Sequence, residues 1–108
     1  GYEQKHFPAE AKRGRLALVA SADGTDGSVR VHQDVRVWAG LIDGAESVSL
    51  ALAPRRMAYL QLARGQVQAN GTTMHAGDGL QVTDERVLVL SGGQGAEVLV
   101  FDLPREVQ

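Results

Sequence analysis

The chain contains no cysteine. Disulfides, thiolate metal centres and a cysteine nucleophile are excluded together, and the composition is compatible with the cytoplasm, the expected location. No apolar run is long enough to cross a bilayer, and no secretory leader pattern opens the chain, so no membrane role is expected. The formal net charge is −2, with acids and bases interspersed. Without a basic stripe there is no electrostatic footprint for nucleic acid. No Gly-x-Ser-x-Gly elbow exists, and Ser47 and Ser49 adjoin no histidine, which argues against a serine hydrolase. The glycine-rich run Ser91–Gly95 lacks a Lys-Ser/Thr ending and a following helix, so it reads as a turn between strands, not a phosphate loop. No internal repeat, low-complexity segment or long helical period is present.

What is there fits one globular domain: 108 residues, 44% apolar and 22% charged, enough for a single core. Thirteen glycines serve many turns. Short β-type runs are predicted at 16–20, 28–33, 35–42, 47–51, 57–63, 66–69, 72–75, 80–83, 87–90 and 97–103. Gly, Asp, Asn and Pro clusters separate them. Asn70-Gly71 is the strongest turn signal, because a two-residue type I′ hairpin needs positive φ at both central residues. Many short strands at regular spacing indicate a sandwich or barrel. Residues 1–14 are polar, carry Pro8 and show no strand alternation; they read as an arm or linker with one helical turn at 9–13, ahead of a domain at 15–108. The chain opens on Gly1, which is either a tag remnant or a start partway through a longer protein.

Val29 and Val31 alternate with Arg30 and His32, so that strand has one wet face. In Val87–Leu90 and Val98–Phe101 both faces are apolar. Such strands are covered on both sides, by a second sheet and by the arm or a partner.

Ala58–Asp78 contains Leu-x-x-Gly-x-Val-x-x-Asn-Gly and Ala-Gly-Asp punctuation, and this stretch resembles the central hairpin of the cupin barrels. Tyr2-Glu3-Gln4 and Phe7, Ser28-Val-x-Val-His-Gln-Asp34, Arg64-Gly-x-Val-x-x-Asn-Gly71, Ala76-Gly-Asp-Gly79 and Ala96–Pro104 occur in the order seen in the C-terminal half of pirin-like bicupins. That family includes bacterial quercetin 2,3-dioxygenases. The resemblance implies an all-β fold: a single cupin (jelly-roll) β-barrel of two antiparallel sheets with an N-terminal arm. It also implies that the metal and the flavonol dioxygenase chemistry belong to an N-terminal cupin domain, the C-terminal one usually being metal-free.

A metal-binding cupin places two histidines and a glutamate ahead of the first motif's glycine, and a further histidine in the second motif. Imidazoles and one carboxylate suit Fe, Mn, Ni or Cu. With Gly65 as the glycine, the glutamate position is Ala58 and the histidine positions are Leu52 and Pro54, or Ala51 and Ala53 with a longer spacer. With Gly77 anchoring the second motif, the Pro, Gly and His positions fall on Thr83, Glu85 and Leu88. None can serve as the expected ligand, so no cofactor and no catalytic residue is expected.

Of the three histidines, His6 lies in the arm, His75 ends a strand, and His32 shares a strand face with Asp34. His32 and Asp34 are either the seed of a non-standard metal site or groups that hydrogen-bond loops. Arg55-Arg56 is a solvated loop, an interdomain contact or an anion site at the barrel mouth. Trp38, Tyr59 and Gln61 are candidates for a ligand pocket in the barrel, or simply its filling. Three functions follow as expectations. The leading one is a non-catalytic, metal-free domain that packs on the parent's N-terminal cupin or forms a homodimer. The alternatives are a binding module for a small flavonol-like aromatic, and a residual dioxygenase using His32.

Overall fold

The computed structural model describes residues 7–31 and 33–105. After a one-turn helix, α1 (Ala9–Lys12), the described residues form eight strands: β1 (Leu16–Ser21), β2 (Val29–Arg30), β3 (Arg36–Ile42), β4 (Val48–Ala51), β5 (Arg56–Ala69), β6 (Thr72–His75), β7 (Gly79–Val82) and β8 (Val87–Pro104). No helix among the described residues is long and apolar enough to cross a membrane.

Four of the predicted runs fuse into two strands. Residues 57–63 and 66–69 are both β5, and 87–90 and 97–103 are both β8. The glycines between them are used as bends, not ends. β5 and β8 pair antiparallel along almost their whole length, with register shifts between Leu62 and Gln68. Beyond one end of this ribbon lie β3, β1 and β2 on the β8 side and β7 on the β5 side. Beyond the other end lie β4 and β6. The two sheets expected from the sequence are therefore the two ends of one ribbon. They form a single hydrogen-bonded network whose edges do not close into a continuous barrel. One pair departs from antiparallel: β2 runs parallel to β1, through a loop held by a Ser21 Oγ–Ser28 Oγ hydrogen bond of 2.7 Å. In the same loop Asp23 accepts from Thr25, which holds its carboxyl below the usual carboxylate range.

Alternation puts Ala58, Leu60, Leu62, Val98 and Val100 in the core, packed against Val67, Met74, Leu88 and Leu90 of the other sheet. Asn70 and Gly71 both have positive φ and form the β5–β6 hairpin read from the sequence. The Asn70 amide also bridges β8: its Nδ2 donates to the Val87 carbonyl at 3.1 Å and its Oδ1 accepts from the Val89 N–H at 2.7 Å. The Gly14 N–H donates to the Leu41 carbonyl at 2.6 Å, tying the chain after α1 to β3.

Gly65, at the ribbon's bend, has φ +74°, and a Cβ there would collide with the carbonyl oxygens of Gln94 and Gly95. Gly71 also has positive φ, but a Cβ there would meet open space. Gly71→Ala is therefore expected to cost about 1 kcal/mol, the left-handed penalty alone. Gly65→Ala adds a backbone clash and is expected to cost about 3 kcal/mol or more. Urea unfolding of the two variants checks the difference; equal losses would mean the ribbon bends without needing that close approach.

Candidate functional site

The positions that would hold a cupin metal are occupied by carbon. Leu52, Ala58 and Leu88 are core residues, while Ala51, Ala53 and Pro54 are exposed at the start of the β4–β5 turn. Such side chains offer no lone pair, so this set does not fit a transition metal. Among the described residues no group of three His, Cys, Asp or Glu side chains lies close enough to hold an ion. His6 and His32 lie outside the described residues. His75 is exposed, and Asp78 Oδ2 accepts its backbone N–H at 2.9 Å, an arrangement that closes the β6–β7 turn.

The most developed polar arrangement joins Asp34, Arg56 and Asp102. Arg56 opens β5; its Nε donates to Asp102 Oδ1 and its Nη1 to Asp34 Oδ2, each at 2.7 Å. Nη2 donates to the Asp102 carbonyl at 3.1 Å and the Asp34 carbonyl at 3.3 Å. The Arg56 and Asp102 side chains are 17% and 11% exposed, against 75% for Asp34. Desolvation opposes the guanidinium charge, but the hydrogen bonds it donates to Asp102 and then Asp34 outweigh it, and the Arg56 pKa is raised. A buried charge survives because it is paired. Asp34 is thus already committed to Arg56, and a metal using it with His32 would have to displace that contact. Asp102 escaped the sequence reading, since nothing local marks the partner of a residue 46 positions away.

Trp38, Tyr59 and Gln61 do not share one pocket, which corrects the sequence expectation. Trp38 stands in register with Val100, itself in register with Leu60, and packs against the core. Tyr59 and Gln61 have the opposite parity and point outward. Tyr59 is 38% exposed and sits beside Phe101, with ring centroids 6.4 Å apart and planes at 55°. Gln61 Nε2 donates to the Gly77 carbonyl at 3.2 Å. The signal was available: Ala58, Leu60 and Leu62 form the apolar parity of the first half of β5, leaving Tyr59 and Gln61 outside.

Outward-facing residues of neighbouring strands form a ladder across the first sheet. Val37, Phe101 and Tyr59 stand in one row; Ala39, Leu99 and Gln61 stand in the next. All are partly exposed. This face of the sheet is largely apolar and only partly covered by the described chain.

A family model described as the quercetinase C-terminal cupin domain matches residues 18–103. Quercetin 2,3-dioxygenase from Escherichia coli K12 is 40% identical over 105 residues, 95% of this chain and 43% of that protein. A pirin-like protein from Caulobacter vibrioides is 30% identical over 99 residues, 91% of this chain and again 43% of the relative. Among solved structures, that of YhhW from Escherichia coli superposes with a TM-score of 0.90 at 33% identity, covering 100% of this chain and 45% of its own. YhaK from the same organism gives 0.74 at 31% identity, over 82% of this chain and 41% of its own. The chain thus spans less than half the length of these relatives.

Asp102→Ala is expected to destabilise the fold by on the order of 3 kcal/mol, because it strands a desolvated guanidinium. Asp34→Ala, at an exposed partner, is expected to cost no more than about 1 kcal/mol. Replacing both members of the buried pair, Arg56→Met with Asp102→Leu, is expected to recover most of the first loss. Denaturant midpoints of the three variants check this order; an Asp102→Ala protein as stable as wild type would show that the clasp holds nothing.

Proposed function

Because the chain belongs to the quercetinase C-terminal cupin family, we propose that it is a non-catalytic, metal-free cupin domain whose outer sheet face packs against a metal-bearing N-terminal cupin. The observation that carries this reading is the apolar ladder of Val37, Leu99, Phe101 and Tyr59 on the side of the first sheet away from the core. Leaving such a face in water forgoes about 25 cal/mol for each Å² of apolar surface. More than half of the E. coli quercetin 2,3-dioxygenase lies outside the match, room for a second domain of the same kind. The reading assigns that remainder the dioxygenase chemistry for which the relative is named, and this chain the support. Without that half the same face would pair with a second copy, because a self-complementary apolar patch favours a two-fold dimer. Cytoplasmic residence is part of the proposal and is open to cell fractionation of the parent. Nothing favours the reading as an aromatic-ligand module, since its candidate residues lie on opposite faces of the sheet.

Two measurements test the proposal. The chain is exposed to Fe, Mn, Ni and Cu, freed of excess and analysed by mass spectrometry. No stoichiometric metal is expected, and one ion per chain would overturn the metal-free assignment. Sedimentation is then followed with and without the separately expressed N-terminal half of the parent. Wild type is expected to self-associate and to capture that half, and Phe101→Asp is expected to do neither. A wild-type chain that stays monomeric at high concentration and ignores the other half would sink the docking reading.

A further inference from the structure

A cleft of about 500 Å³ opens at the end of the sandwich where the β4–β5 and β7–β8 turns meet the end of β8. Leu52 and Pro54 supply its apolar wall, and it is ringed by Arg55, Arg56, Arg86 and Arg105 with Asp84 and Glu85. Two of the arginines are already committed. Arg56 is held by Asp34 and Asp102, and Arg105 by Asp84. Arg55 and Arg86 have no side-chain hydrogen bond or ion pair among the described residues, and Glu85 is the one cleft carboxylate equally unengaged there. Two uncommitted guanidinium groups and one uncommitted carboxylate therefore line the cleft together with its apolar wall.

The backbone supplies a second, independent observation. Ala53–Arg56 is a β-turn closed by the Arg56 N–H donating to the Ala53 carbonyl at 3.2 Å. Pro54 takes its second position, as turns of this type prefer, and Arg55 takes the third with φ +64°. That place ordinarily goes to glycine or asparagine. The Arg105 N–H holds the Arg55 carbonyl at 2.8 Å and so fixes the strained residue. Across the cleft Asp84 also has positive φ, at +61°. Strain of this kind persists where the surroundings over-determine it, and it concentrates at ligand clamps. An arginine here carries a backbone strain that glycine would not.

We propose that this cleft binds a small organic carboxylate with an apolar body: Arg55 and Arg86 receive the carboxylate, and Leu52 and Pro54 pack against the body. Guanidinium groups match a carboxylate through paired, charge-assisted hydrogen bonds. The site lies at the end of the sandwich, uses none of the outer-face ladder, and does not rest on the docking reading. The comparable cleft at the opposite end is lined by Arg13 and Arg64 but also by Asp43, Glu46 and Glu97, and Arg64 already pairs with Glu97. Its three carboxylates outnumber its two guanidinium groups, which disfavours a carboxylate ligand there.

The test is a titration of the full 108-residue chain with benzoate, followed by NMR of the arginine Nε–H groups and by calorimetry. Benzyl alcohol and inorganic phosphate are the control ligands. Benzoate is expected to shift Arg55 and Arg86 and to bind at least about tenfold more tightly than either control. Arg86→Gln is expected to weaken benzoate about tenfold or more at unchanged stability. Arg55→Gly is expected to weaken it similarly while raising the thermal midpoint by a few degrees, because glycine relieves the left-handed backbone. An arginine that merely shaped the turn would give no such opposition between binding and stability. Phosphate binding as tightly as benzoate would overturn the assignment to an apolar carboxylate. Benzoate binding unchanged in both variants, or absent from wild type, would overturn the site.

Discussion

The structure depends on one long ribbon. β5 and β8 are 14 and 18 residues long, and every other strand pairs with one of them directly or through β3 and β1. A ribbon that long would make a flat, two-faced sheet if it stayed straight. It passes from one sheet to the other instead, through the register shifts around Gly65, where the backbone of β8 comes too near for any Cβ. Bulges at such corners are how strands change sheets. Because the same two strands line both halves of the core, Leu60 and Val98 at one end and Val67 and Leu90 at the other belong to one packed unit. The sheets cannot loosen independently.

That arrangement decides what the interior can do. Where the family resemblance would place a metal-binding carboxylate, the ribbon carries the methyl group of Ala58, and Leu52 and Leu88 fill the neighbouring positions. A carboxylate and imidazoles buried there without a metal would carry a heavy desolvation cost; hydrocarbon turns the same volume into core. The polar groups that remain inside are few and matched. Ser21 bonds Ser28, Asp102 bonds Arg56, and among the described residues no buried side-chain nitrogen or oxygen lacks a partner.

The local features were legible because each is fixed by a few neighbouring residues. Asn70-Gly71 announces its hairpin through the positive φ that both residues tolerate, and alternation marks Ala58, Leu60 and Leu62 as inward. The apolar outer side of β8 was equally visible in Val98–Phe101. Features built over long sequence separation were not. A glycine that bends a strand and one that ends it look alike in sequence until the partner strand is known, which is why β5 and β8 each read as two pieces. The Asp102 partner of Arg56 carries no local mark. Tyr59 and Gln61 read from the sequence as pocket lining or barrel filling, although the alternation of β5 itself points them outward.

The Arg56 clasp connects the features that packing alone leaves open. Arg56 is the residue at which the β4–β5 turn becomes β5. The turn residue before it, Arg55, lines the end cleft, and the residue after it, Met57, pairs with Leu103 on the outer side of the first sheet. Fixing the Arg56 guanidinium between Asp102, deep in the sheet, and Asp34, from the segment before β3, therefore sets both the strained turn and the register of the outer face. A charged residue is better suited to this than an apolar one. Packing tolerates small slides, whereas four hydrogen bonds from one planar group to the carboxylates and carbonyls of two residues tolerate almost none. Conformational definition at this corner, rather than net stability, is what a partly buried ion pair supplies. The proposed docking face and the proposed carboxylate cleft both need that definition, since each requires its side chains to be held in place before a partner or ligand arrives.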